Sequence, residues 1–198
     1  LKVAPNLGWR EVGVRDQLVE ALSDAGSQIA IHVHNEADVA ALGEFEFGDG
    51  EVPEPLVFLS LGIGVGAGIV VNDRLFVGAN GFAGEVGHSI LEVDGPLCSC
   101  GRHGCVEAFI GLNAIGQHIA GDQRKGLNLP EILALLASND THALAVVRDA
   151  GKALGVLIQN LWTMIDPGRV VLGGPACSLG PPFLDAVHAS LNRFTEEA

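Results

Sequence analysis

Apolar positions recur at helical spacing in DQLVEALSD, residues 16–24, and the pattern predicts a helix there. QIAIHV (28–33) is a short apolar run that predicts a strand, and EADVAALGEF (36–45) returns to helix-forming composition. The stretch GDGEVPEP (48–55) is acidic and broken by Gly and Pro, which marks it as a hinge or domain boundary. LVFLSL (56–61), the glycine run GIGVGAG (62–68), IVV, the pair Asn72-Asp73 and RLFVG then predict a β-meander with one Gly-rich bend and one tight hairpin. Residues 80–105 are irregular and rich in glycine. A loop of that length inside a domain is usually functional, or is held by something other than a core.

Helical patterning dominates after Val106. One helix is expected over 106–120, another from Pro130, a residue suited to a first helical turn, and a long one over 142–165. RVVLGG (169–174) reads as a buried strand and 182–194 as an amphipathic helix. Strands before helices, with glycines at strand ends, indicate an α/β or α+β architecture. At 198 residues and 48% hydrophobic composition the chain can bury a substantial core. Eleven basic against 24 acidic residues leave a net charge of −13, which argues against nucleic-acid binding by this chain unaided. No apolar run reaches 18 residues without charge, and LKVAPNLGWR carries no signal-peptide apolar region. A cytoplasmic protein without a membrane partner is expected. The chain begins at Leu1 rather than Met, as a piece of a longer protein would.

CSCGRHGC (98–105) gathers three of the four cysteines. Cysteines clustered in a reducing compartment favour metal or redox chemistry over structural disulfides. Gly101 and Gly104 permit the positive φ angles that turn Cys98, Cys100 and Cys105 inward. Three thiolates supply three-quarters of a tetrahedral zinc site. His88 and His103 both remain open as the fourth ligand, while Cys177 lies far along the chain. Free thiols on a flexible loop, or a Cys98–Cys105 disulfide, are the competing readings, and the Cys-x-x-Cys redox spacing is absent. Glu85 and Glu107 bracket this loop, placed to bind hydroxyl groups. Asn35-Glu36 stands where the predicted strand meets the predicted helix, which suits either site residues or a helix cap. Gly62, Gly64 and Gly66 in LGIGVGAG, and Gly173 and Gly174 in LGG, are candidates for a vestigial phosphate-binding backbone; tight turns between packed strands are the plainer explanation. The Lys-Ser/Thr of a P-loop is missing.

GFAGEVGHSILEVDGPLCSCGRHGCVE (81–107) resembles the signature of the ROK family, bacterial sugar kinases and sugar-responsive transcriptional repressors. APNLGW (4–9), NEADVAALGE (35–44), LGIGVGAGIV (61–70) and IDPGRVVLGG (165–174) match that family in the same order. The resemblance implies an α/β, actin-like two-lobed sugar kinase (ribonuclease H-like) fold with the ligand cleft between lobes. Residues 1–47 would end the small lobe and carry cleft residues, and 55–198 would form most of the larger C-terminal lobe, with a zinc loop at about 80–107. It further implies structural zinc on His88, Cys98, Cys100 and Cys105, and a monosaccharide held by Asn35, Glu36, Glu85, His88 and Glu107. A homodimer or higher homo-oligomer is the family expectation.

Two departures bear on activity. The family's kinases carry Asn-Asp where this chain has Asn35-Glu36, the Asp acting as general base toward the sugar hydroxyl, and a Thr that meets ATP phosphate where this chain has Ile63. Glu is one methylene longer than Asp, and misplacing a base by about 1 Å costs on the order of a hundredfold in rate. An apolar side chain offers phosphate no hydroxyl. Both changes resemble the repressor branch. The expectation is therefore a sugar-effector-binding region without catalysis and without an ATP requirement, reaching DNA only through a domain upstream of Leu1. An ATP-dependent hexose or N-acetylhexosamine kinase with Glu36 as base is the alternative.

Overall fold

The computed structural model describes residues 3–4, 8–24, 26, 29–50, 53–121 and 126–196. Residues 1–35 cluster as one compact unit and 36–198 as another. In the first, β1 (Val3–Ala4) and β2 (Trp9–Arg10) form an antiparallel ribbon, followed by α1 (Val14–Asp24), which begins two residues before the expected helix. The strand expected over 28–33 does not form among the described residues. Ile29 and Val33 are exposed, and among the described residues β1 and β2 pair only with each other. An extended run with no ladder partner must leave its N–H and C=O groups to water or side chains, and Arg15 Nε donates to the Ile31 carbonyl at 3.2 Å. Gln28, residues 5–7 of APNLGW and residues 51–52 of the acidic stretch lie outside the described residues.

The second unit opens with α2 (Glu36–Phe47), then β3 (Leu56–Leu61), β4 (Val65–Val71) and β5 (Arg74–Leu75). α2 clusters in the same compact unit as the sheet. Strand periodicity explains why. Val57, Leu59 and Leu61 of β3 and Val65, Ala67 and Ile69 of β4 enter the main core, while Leu56 and Val70 enter a second core with Ala41. Gly66 and Gly68 alternate onto that second face. A Cβ on Gly68 would collide with the Ala37 carbonyl and the Ala41 methyl, so the helix comes this close only because the strand has no side chain there. Asn72 and Asp73 take left-handed φ angles of 52° and 59°, and the expected tight hairpin closes β4 onto β5.

The helix expected over 106–120 is two helices, α3 (Glu107–Ile110) and α4 (Leu112–Ala120), broken at Gly111. The break lets Leu112 N–H donate to the Gly62 carbonyl at 2.9 Å, tying the helix pair to the glycine bend. α5 (Leu129–Ala137) starts in a capping box formed by Asn128 and Glu131, with Pro130 in its first turn. α6 (Thr141–Ile165) supplies Val147, Leu154, Leu157 and Leu161 to the main core. β6 (Arg169–Gly173) pairs parallel to β3 and completes the order β5-β4-β3-β6. It is half-buried along its length rather than buried, because it lies at the edge of the described sheet. α7 (Pro181–Glu196) packs on α6 where Gly151 and Gly155 leave room for Phe183 and Ser190. Among the described residues no helix is long and apolar enough to cross a membrane. Gly68→Val should cost about 1–3 kcal/mol, the range for overpacking a tight contact, and chemical denaturation monitored by circular dichroism measures it.

Candidate functional site

The cysteine loop is folded by its own backbone. Leu91 N–H and Glu92 N–H donate to the Gly104 carbonyl at 2.8 and 3.3 Å, and Cys98 N–H donates to Arg102 O at 2.8 Å. Gly104 has φ +70°, and a Cβ on it would overlap the Glu92 carbonyl. The ligand atoms of His88, Cys98, Cys100 and Cys105 lie within 4.8 Å of one another. Cys100 and Cys105 sulfurs are 3.6 Å apart, and Cys98 Sγ is 3.7 Å from His88 Nδ1. A tetrahedral ion with metal–sulfur bonds of about 2.3 Å sets neighbouring sulfurs about 3.8 Å apart, whereas a disulfide brings them to about 2.05 Å. All four cysteines of the chain are free thiols. The separations and the donor set therefore fit a four-coordinate cation, and the Cys98–Cys105 disulfide reading fails. His103 stands apart, its Nδ1 3.0 Å from the Gly95 carbonyl.

Two thiols of the set are shifted in opposite directions. Burial pushes the Cys105 thiol up to about 12, and hydrogen bonding with Cys100 and Cys98 adds to the rise. Burial raises Cys100 as well, but hydrogen bonds from Arg102 and from Cys98 and Cys105 outweigh it and bring that thiol down to about 6. Arg102 Nε donates to Cys100 Sγ at 3.5 Å. A divalent cation held by this donor set would supply positive charge that favours the thiolate form of its ligands.

The neighbouring carboxylates hang on the β3–β4 hairpin. Glu107 begins α3; its Oε2 accepts from Val65 N–H at 3.2 Å and its Oε1 from Ser99 Oγ at 2.7 Å. One carboxylate thus bridges the first residue of β4 and the cysteine loop. The GEVGH segment lies along β4: Ala67 N–H donates to the Gly84 carbonyl at 2.8 Å, and Gly84 and Gly87 have no room for a Cβ against the Ala67 and Val65 carbonyls. Glu85 is exposed on that segment. His88 ends its 3₁₀ turn with Nδ1 toward Cys98. Glu36, in the first turn of α2, accepts from Ser60 Oγ at 3.0 Å. Asn35 is the last residue of the first unit.

The glycine candidates divide. Gly62 and Gly64 sit in the bend after β3, and Gly173 and Gly174 at the end of β6; Gly62 and Pro175 are in contact range. The carboxyl ends of two parallel strands therefore lie side by side, the usual ligand edge of an open α/β sheet. Ile63, 57% exposed, occupies that edge. Gly66 lies within β4 facing Ala37, where an added Cβ would sit in ordinary contact with the Ala37 methyl. Sequence reading missed Ser60 and Ser99. Ser60 is the lone polar residue in LVFLSL, and that interruption was its signal; Ser99 lay unmarked between two cysteines.

The ROK family pattern matches residues 1–198, and the chain belongs to that family. It is 28% identical over 188 residues to the xylose repressor of Bacillus subtilis, covering 95% of this chain and 47% of that protein. It is 32% identical over 199 residues to a glucokinase of Halalkalibacterium halodurans, covering 93% and 59%. A ROK family glucokinase from Streptomyces griseus, solved with glucose and AMPPNP, superposes with a TM-score of 0.83 at 27% identity over 97% of this chain and 65% of that one. The chain shares the α/β fold of the ROK sugar kinases, and it spans about half the length of the curated relatives it matches. Adding zinc to metal-stripped protein should raise the melting temperature, and Cys100→Ser should lower both bound metal, read by elemental analysis, and that stabilisation.

Proposed function

We propose that this chain is the sugar-effector-binding region of a ROK-type transcriptional regulator. A monosaccharide is held by Asn35, Glu36, Glu85, His88 and Glu107, with structural zinc on His88, Cys98, Cys100 and Cys105. Zinc orients the imidazole, and through Ser99 the same loop orients Glu107. With four protein ligands the ion keeps no open position for an activated water. The protein works in the cytoplasm as a homodimer or larger homo-oligomer and reaches DNA through an upstream domain, a division of labour that fits the −13 charge. Sugar shifts DNA affinity only if the two states of the protein bind it differently.

The observation that carries this reading is the pair of residues at the kinase machinery's positions. Glu36 replaces the family's Asp and is engaged by Ser60, and Ile63 presents an exposed apolar side chain in the bend where kinases place Thr. Either change impairs phosphoryl transfer; neither removes an acceptor for sugar hydroxyls. The kinase reading draws on the 32% identity to a glucokinase.

A coupled ADP-release assay on the full-length protein, run across common hexoses, D-xylose and N-acetylhexosamines, should show no turnover approaching the roughly 1–100 s⁻¹ usual for kinases. Such turnover, abolished in Glu36→Ala, would establish the kinase instead. Calorimetric titration should detect sugar binding that Glu107→Gln weakens by about 10- to 100-fold, the loss expected for a charged hydrogen-bond acceptor.

A further inference from the structure

Ser60 interrupts an apolar strand at the position that faces α2. Leu59 and Leu61 on either side of it are buried in the main core, and alternation turns Ser60 to the face it shares with Leu56 and Phe58. Its cross-strand partners are Gly66 on β4 and Gly173 on β6. Neither carries a side chain, and the Gly66 position lies against Ala37, so the first turn of α2 is seated directly over this part of the sheet. There Ser60 Oγ donates to Glu36 Oε1 at 3.0 Å.

We infer that Ser60 is a positioning residue that fixes Glu36 as a hydroxyl acceptor for the sugar effector; the inference rests on the effector-binding reading above. A free Glu side chain samples many rotamers and loses that freedom on binding. Ser60 holds one oxygen in advance and leaves the carboxylate most of its roughly four acceptor sites for ligand hydroxyls. Glu supplies one methylene more reach than Asp toward the strand. A carboxylate held in this way serves recognition, which needs a fixed acceptor and no proton transfer.

The test is calorimetric titration of D-xylose, D-glucose and N-acetyl-D-glucosamine into the full-length protein, in wild type, Ser60→Ala, Ser60→Thr, Glu36→Ala and the Ser60→Ala/Glu36→Ala double variant. Ser60→Ala should weaken the bound sugar by about 3- to 10-fold, the scale of one hydrogen bond. Melting temperature and zinc content should stay unchanged, and Ser60→Thr, which keeps the hydroxyl, should recover most of the affinity. In the Glu36→Ala background, Ser60→Ala should add nothing, because its effect passes through that carboxylate. Wild-type affinity in Ser60→Ala, or a loss that persists without Glu36, overturns the role of Ser60 and leaves the effector reading standing. Binding of none of the three sugars by the wild type overturns both.

Discussion

The structure depends on how closely neighbouring segments approach residues 65–68 of β4. On one face Gly68 admits the backbone of α2. Along the strand, Ala67 bonds the Gly84 carbonyl, and Gly84 and Gly87 press GEVGH against it. At its start, Val65 N–H holds Glu107. Glu36, Glu85, His88 and Glu107 thus come from three separate stretches of chain and are all referenced to a few consecutive residues of one strand. A side chain at Gly68, Gly84 or Gly87 would push one of those stretches outward, so these glycines fix how closely the segments carrying Glu36, Glu85 and His88 approach the strand.

Glu107 joins this frame to the cysteine loop. Its two oxygens are engaged by Val65 and Ser99, so the carboxylate keeps its orientation only while the loop keeps Ser99 in place. The cysteine loop and the start of β4 are therefore mechanically linked through one serine and one glutamate. His88, Cys98, Cys100 and Cys105 present a donor set that could hold a metal ion, and a cation among them would offset the charge of neighbouring thiolates. An ion held by four protein ligands would contribute shape, as in closed structural sites generally.

Much of this was legible in the sequence, for identifiable reasons. The period of two in LVFLSL and GVGAGIV separated the faces of the sheet, Asn72-Asp73 marked its hairpin, and the spacing of Cys98, Cys100 and Cys105 marked a metal loop. Local pattern failed where a partner decided the outcome. The apolar run at 28–33 predicted a strand, but a strand exists only with a neighbour. Helix propensity carried 106–120 through Gly111, where a bond from Leu112 to the glycine bend breaks it. The close approach of α2 to β4 at Gly68 likewise joins residues far apart in sequence, which no local pattern announces. The choice between His88 and His103 needed the family resemblance, and the distances now agree with it.

On the proposed reading, Glu36 and Ile63 turn a sugar-kinase frame toward recognition without transfer. A regulator must couple sugar binding to DNA binding, and a kinase must release ADP, so both outputs belong in one titration. Sugar added to the full-length protein on a fluorescent fragment of its own upstream DNA should change DNA affinity while ADP release, with ATP present, stays at background. Steady ADP release at kinase rates with DNA affinity unmoved by sugar would contradict the assignment.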